Sequence, residues 1–161
     1  MRPSDFDSFS LTYEGLSYVE QLEKSSPIST SAFVAMWFCD EMNHVYDNAI
    51  YPAITECGFE PFKVDNHQHN NDITDVIIAG IRECRFMVAD LSGYRGGVYY
   101  EAGFARGLGK EVILTCRKDY FDGTDGKEKV HFDVNHLNII VWENEEELRV
   151  KLINRIKATI I

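Results

Sequence analysis

The chain is short of positive charge: 16 Lys and Arg stand against 26 Asp and Glu, a formal net charge of −10 over 161 residues. That is the wrong sign for a surface that wraps duplex nucleic acid through its phosphates. No direct nucleic-acid binding is expected, and a small anionic ligand needs a locally built site. Long hydrophobic runs are missing too. No stretch approaches the ~18 consecutive apolar residues of a membrane helix, and Met1-Arg2-Pro3-Ser4-Asp5 does not open a secretory signal. A soluble, cytoplasmic protein is expected. Cysteine is sparse, at 39, 57, 84 and 116 with no CxxC pair, which points to reduced buried thiols and excludes a disulfide framework or a zinc site. Neither an internal repeat nor a low-complexity segment is present. What remains, at 45% hydrophobic and 26% charged, suits one globular domain with a real core.

Residues 1–31 differ in texture from the rest. Leu16, Val19 and Leu22 recur at helical spacing and Ser25-Ser26-Pro27-Ile28-Ser29-Thr30-Ser31 follows, so a short helix and a linker are expected, loosely like the closing helix of an upstream winged-helix unit. From residue 32 to 161 apolar runs alternate with helical patterns in the rhythm of βαβ units. Strands are expected at 33–38, 59–64, 86–89, 112–116 and 137–142. Helices are expected at 40–57 with Pro52 bending the last turns, from 72 or 73 to 83, at about 98–108, and from near Asn144 to the end. Residues 117–136 show no periodicity and are expected to form a long excursion. The simplest fold is a three-layer flavodoxin-like or Rossmann-like α/β domain with a five-stranded parallel sheet in the order 2-1-3-4-5, plus the N-terminal helix. Ligands bind such sheets beyond the carboxyl ends of the strands, where strands one and three diverge.

The polar residues of the sequence gather at that place. Asp65 ends strand two and Asp90 ends strand three; Ser92-Gly93-Tyr94-Arg95-Gly96-Gly97 then opens a helix carrying Glu101. A glutamate in a helix's first turn is favoured in its charged form by the unpaired N–H groups and the dipole, and in a closed pocket it is a usable nucleophile, although such a glutamate is also an ordinary exposed charge. With Asp90 it makes a pair of carboxylates, which is what glycosidic-bond chemistry needs. Gly96 and Gly97 allow close backbone approach to an anion, and Arg95 offers a fork for phosphate. Tyr94, Tyr99, Tyr100 and Phe104 supply faces that stack on a base or pack the core, while Ala102, Gly103, Ala105 and Gly107 let the helix lie close on the sheet. The spacing is not that of a dinucleotide-binding GxGxxG. His67 and His69, with Asn70 and Asn71, form a polar loop without a ligand set for metal, and no metal or cofactor is expected. His131, Asp133 and His136 fall in the excursion, as a lid, a subunit contact or an ordinary loop. Ser92 and Cys116 lack a base for triad chemistry.

The stretch Asp90-Leu91-Ser92, then Val98-Tyr99-Tyr100-Glu101-Ala102-Gly103-Phe104-Ala105, with Gly109-Lys110-Glu111-Val112-Ile113 behind it, resembles the nucleoside 2-deoxyribosyltransferase-like superfamily over about residues 32–160. That group includes deoxynucleoside 5′-monophosphate N-glycosidases. The resemblance implies a covalent glycosyl-enzyme on Glu101, with Tyr100 and Asp90 as its catalytic neighbours, and a homodimer or larger assembly whose neighbours complete the pocket. Arg95 stands where the nucleotide-cleaving branch has a phosphate-binding serine, six residues before the glutamate. The family aspartate that handles the base's proton has only Asp72 and Asp75 nearby, both off its spacing. The family's polar first loop is replaced by Met36-Trp37-Phe38-Cys39-Asp40. The expected function is cleavage of a nucleoside or nucleotide N-glycosidic bond, or 2-deoxyribosyl transfer. Asp65, Asn70, Asp75, Ser92, Arg95, Gly96, Gly97, Tyr99, Met36 and Trp37 are expected to bind the substrate. TIR-like NAD glycohydrolases, which resemble this layout, make NAD an alternative substrate. A nucleotide-sensing module without turnover is a third reading.

Overall fold

The computed structural model describes residue 10 and residues 12–17, 29–64 and 73–161. A short helix, α1, spans residues 13–17, with Leu16 exposed; Val19 and Leu22 lie outside the described residues. The domain proper begins with β1 (Ser31–Ala35) and continues through α2 (Asp40–Val45), a π-helical turn (Tyr46–Ile50), α3 (Tyr51–Glu56), β2 (Glu60–Phe62), α4 (Ile73–Glu83) and β3 (Phe86–Asp90). It ends with α5 (Gly96–Gly107), β4 (Glu111–Arg117), α6 (Lys118–Asp122), β5 (Ile139–Trp142) and α7 (Glu145–Thr159). All strand pairs are parallel and the order is β2-β1-β3-β4-β5, the expected topology.

Both faces of the sheet are covered, which is why its central strands are continuously apolar instead of alternating. One face packs Ala32, Val34, Phe86, Val88, Ile113 and Ile140 against α2, α3 and α7; the other packs Phe33, Ala35, Met87, Ala89, Val112 and Leu114 against α4 and α5. On α7 the expected stripe of Leu148, Leu152, Ile156 and Ile160 is buried. Its start is fixed by the Asn144 side chain, which accepts from Glu147 N at 2.9 Å, while the Glu147 carboxylate accepts from Glu143 N.

The differences from the expected elements have local causes. β1 ends at Ala35, two residues after its last partner on β2, and Met36 to Phe38 leave the sheet. β2 is three residues long and carries Pro61, which has no N–H to give a ladder and is tolerated because the strand lies at the edge. Before Pro52 the helix widens into the π turn, the ring and missing N–H being incompatible with regular bonding to the preceding turn. On α4 only Ile81 is fully buried, Ile73, Ile77 and Ile78 being half-buried. α5 starts two residues earlier than expected. The excursion begins as helix α6, stopped by Gly123 in the left-handed region (φ 71°), and returns to the core at Val130. No helix among the described residues is long and apolar enough to cross a membrane.

Candidate active site

β1 stops at Ala35, opposite Ala89, and β3 runs one residue further to Asp90; their chains then part in opposite directions, β1 toward α2 on one face, β3 toward α5 on the other. The crevice expected at a parallel sheet's switch point is flanked by residues 36–39 and 91–97. Trp37 spans it. Its indole lies against Gly93, whose φ of 78° already favours glycine, and a Cβ there would stand 2.9 Å from Trp37 Cδ2. Above the same ring sits the Arg95 guanidinium, Cζ 4.2 Å from the centroid, a cation–π stack. Gly93→Ala is therefore expected to lose about 2 kcal/mol, from the left-handed backbone and the displaced ring together. Thermal denaturation gives the loss, and the emission of Trp37 reports the displacement.

Arg95 is exposed and is the N-cap of α5; Gly96 and Gly97 are its first helical residues, also exposed, so their N–H groups open to solvent beside the arginine. Glu101 comes out differently. Because α5 begins at Gly96, Glu101 lies in the second turn, beyond the unpaired N–H groups that were expected to keep it charged. Its spacing puts it on the same face as Val98 and Ala105, which are buried against the sheet. Half-buried there, its carboxyl is pushed by desolvation up to about 7. The group is thus poised near neutrality, not held ionised.

Asp90 is corrected more strongly. It is 0% exposed, and both oxygens are occupied: Oδ1 accepts from Ser92 N at 3.0 Å, and Oδ2 from Thr115 Oγ1 at 2.5 Å and Trp142 Nε1 at 3.2 Å. Burial pushes its carboxyl above the ordinary range against the pull of these bonds. As folded, Asp90 has no surface for a substrate; it ties the end of β3 to β4 and β5. Ser92 is corrected with it. The residue is fully buried, and its Oγ accepts from Arg117 N at 2.9 Å. Met36 is a core residue, 2% exposed, and not part of the lining.

Tyr100 projects from the side of α5 opposite Val98 and is 62% exposed, away from Glu101. Gly103 and Gly107 are exposed as well, with nothing within 4 Å of a Cβ among the described residues, so of the four small residues only Ala102 and Ala105 pack on the sheet. Tyr99 and Phe104 pack against the core, and the Tyr99 hydroxyl accepts from His131 N at 3.4 Å. Asp75 is exposed in the first turn of α4. Asp65, His67, His69, Asn70, Asn71 and Asp72 lie outside the described residues.

Three features escaped the sequence. The Trp37–Arg95 stack joins residues with no pattern between them. The support of Asp90 had one readable signal, Thr115 standing opposite it in register. The third is the return of the excursion to the turn before α5, where His131 stacks on Tyr94 with centroids 6.1 Å apart and Phe132 stacks on His131 at 4.7 Å.

The described residues thus form a three-layer α/β domain with a five-stranded parallel sheet and a glutamate-bearing helix after its third strand. Among solved structures the chain is similar to the Clostridium botulinum CMP N-glycosidase BcmB, with 23% sequence identity and a TM-score of 0.54 over 76% of this chain and 97% of that one. The likeness is one of fold. No protein-family model and no curated protein matches the sequence.

Proposed function

We propose that this protein hydrolyses the N-glycosidic bond of a nucleotide through a covalent glycosyl-enzyme on Glu101. The observation that carries the reading is the half-buried carboxyl of Glu101, with its pKa near 7, on the helix that opens with Arg95, Gly96 and Gly97. The fold shared with a CMP N-glycosidase makes CMP and dCMP the first substrates to try.

In the proposed reaction the ionised Glu101 attacks the anomeric carbon as the bond to the base nitrogen breaks, and the electron pair leaves with the base, which takes up a proton. Water then attacks the same carbon, frees the sugar phosphate and returns the carboxylate. The 5′-phosphate rests on the Gly96 and Gly97 N–H groups and draws Arg95 from Trp37, whose uncovered face is left for stacking. Asp90 and Ser92 act behind the turn by holding it. Glu101 in the second turn is less stabilised as an anion than a first-turn carboxylate, and correspondingly more nucleophilic once ionised.

Arg95→Ala tests the phosphate contact. The expected result is a KM for CMP or dCMP raised by about 10- to 100-fold, the range for a lost charge-assisted contact, with hydrolysis of the corresponding nucleoside unchanged. An equal loss on nucleoside and nucleotide would remove Arg95 from this role. The reading as a whole is tested by incubating the protein with nucleosides, their monophosphates and NAD and following base release. Nicotinamide release alone would turn the assignment to NAD, and thermal shifts with nucleotides but no cleavage would leave a sensor.

A further inference from the structure

Tyr94 stands in an unusual conformation. Its φ of 52° puts it in the left-handed region directly after Gly93, and an aromatic residue adopts that region only where its surroundings hold it. Two successive left-handed residues turn the chain from the end of β3 so that Arg95 reaches Trp37 and the Gly96 and Gly97 N–H groups open α5. A glycine at 94 would adopt this shape freely. With tyrosine there, the turn needs support from outside itself.

The support comes from the far end of the excursion. The Tyr94 ring, 37% exposed, contacts Tyr99, centroids 5.6 Å apart, and the His131 imidazole, stacked at 6.1 Å and 29°. His131 is itself fixed from several sides. Its backbone N–H donates to the Tyr99 hydroxyl, its carbonyl accepts from Val134 N and Asn135 N at 3.1 Å each, its Nδ1 lies 3.1 Å from Asp133 Oδ2 and 3.3 Å from Asp133 N, and Phe132 stacks on its ring. The preceding residue, Val130, is buried and bonded to Tyr120 O. The loop is thus closed on itself, anchored in the core, and applied to one side of the strained residue.

We infer that His131 is a positioning residue: by clamping the Tyr94 ring it keeps the 92–97 turn in the shape that presents Arg95, Gly96 and Gly97 to the substrate's anion. This rests on the reading that the turn holds that anion, and it adds a specificity-determining contact from a loop nearly forty residues away in the chain. The clamp acts on binding and not on Glu101, which lies on the other flank of α5.

Two substitutions separate the clamp from general stabilisation. His131→Ala is expected to raise the KM for CMP about five- to tenfold while kcat stays within about twofold, and His131→Phe, which keeps a flat ring, to restore KM. In a Tyr94→Gly background, where no strained residue needs holding, His131→Ala should add nothing. Equal losses in both backgrounds, or a fall in kcat at constant KM, would overturn the inference. Amide exchange tests it without turnover: the Tyr94 and Val98 amides, bonded to Leu91 O and Arg95 O, should exchange about tenfold faster in His131→Ala and return to normal in His131→Phe. Unchanged exchange sinks the clamp whatever the activity. Faster exchange in a protein that cleaves no nucleotide upholds the clamp and sinks the glycosidase.

Discussion

Glu101→Gln should abolish base release, lowering kcat about 10⁴-fold or more, the scale on which removal of a nucleophile acts in covalent hydrolases. The isosteric amide keeps the shape and burial of the side chain and removes only its capacity to attack. Wild-type kcat should rise with pH through about 7, since the attacking form is the carboxylate. A rapid quench of the wild type should trap a sugar adduct on Glu101. A variant that keeps cleaving, in a wild type that never accumulates an adduct, would remove Glu101 as nucleophile. Stability gives a test independent of substrate. The folded-state pKa of Glu101 is raised from 4.5 to about 7, so between those values the unfolded chain has lost a proton that the folded chain retains. Its contribution is fully present below pH 4.5 and is lost as pH rises through 7. After allowance for partial solvent access this amounts to on the order of 2 kcal/mol. The difference in unfolding free energy between Glu101→Gln and wild type should therefore grow in favour of the variant across that window. A difference independent of pH would show that Glu101 is not desolvated.

Asp90→Ala carries the largest expected loss of stability, about 3–5 kcal/mol. The substitution strands three buried donors, Ser92 N, Thr115 Oγ1 and Trp142 Nε1, in a region where water cannot replace the lost acceptor. For a domain of this size the midpoint of thermal unfolding should fall by more than about 10 °C. Asp90→Asn retains an acceptor but turns an amide NH₂ toward donors, so about half the loss is expected. Thr115→Val removes a single donor and should cost about 1 kcal/mol, since no buried partner is left without a bond. A fully active, fully stable Asp90→Ala protein would contradict a role in tying the strand ends together.

The parts of the molecule legible in the sequence are those governed by periodicity. Phe86-Met87-Val88-Ala89 is apolar at every position because both sheet faces are covered, and Leu148, Leu152 and Ile156 repeat at helical spacing because one face of α7 is buried. The order of the strands followed from βαβ handedness. Side-chain direction at the site did not. Asp90 lies at the end of a strand, where a carboxylate has the crevice on one side and the neighbouring strands on the other, and only Thr115 and Trp142, 25 and 52 residues later, determine which it faces. The access of Glu101 to the unpaired N–H groups depended on where α5 begins, and a shift of two residues moved it from the first turn to the second. Tyr100 and Glu101 are neighbours in the motif, yet the 100° between successive helical residues points one outward and the other inward. His131 was illegible for a different reason: its excursion has no period, and its place is set by contacts with Tyr94 and Tyr99, more than thirty residues earlier in the chain.

The bond from Trp142 to Asp90 also bears on the order of assembly. β5 is the last strand of the chain, and until it joins the sheet the carboxyl at the end of β3 has lost one of its three donors and part of its cover. The turn that presents Arg95 and opens α5 therefore gains its full support only once β5 is in place, some 45 positions after its own residues in the chain. A nascent chain halted before residue 139 would carry every residue of the candidate site and still lack the Trp142 bond that completes the support behind it.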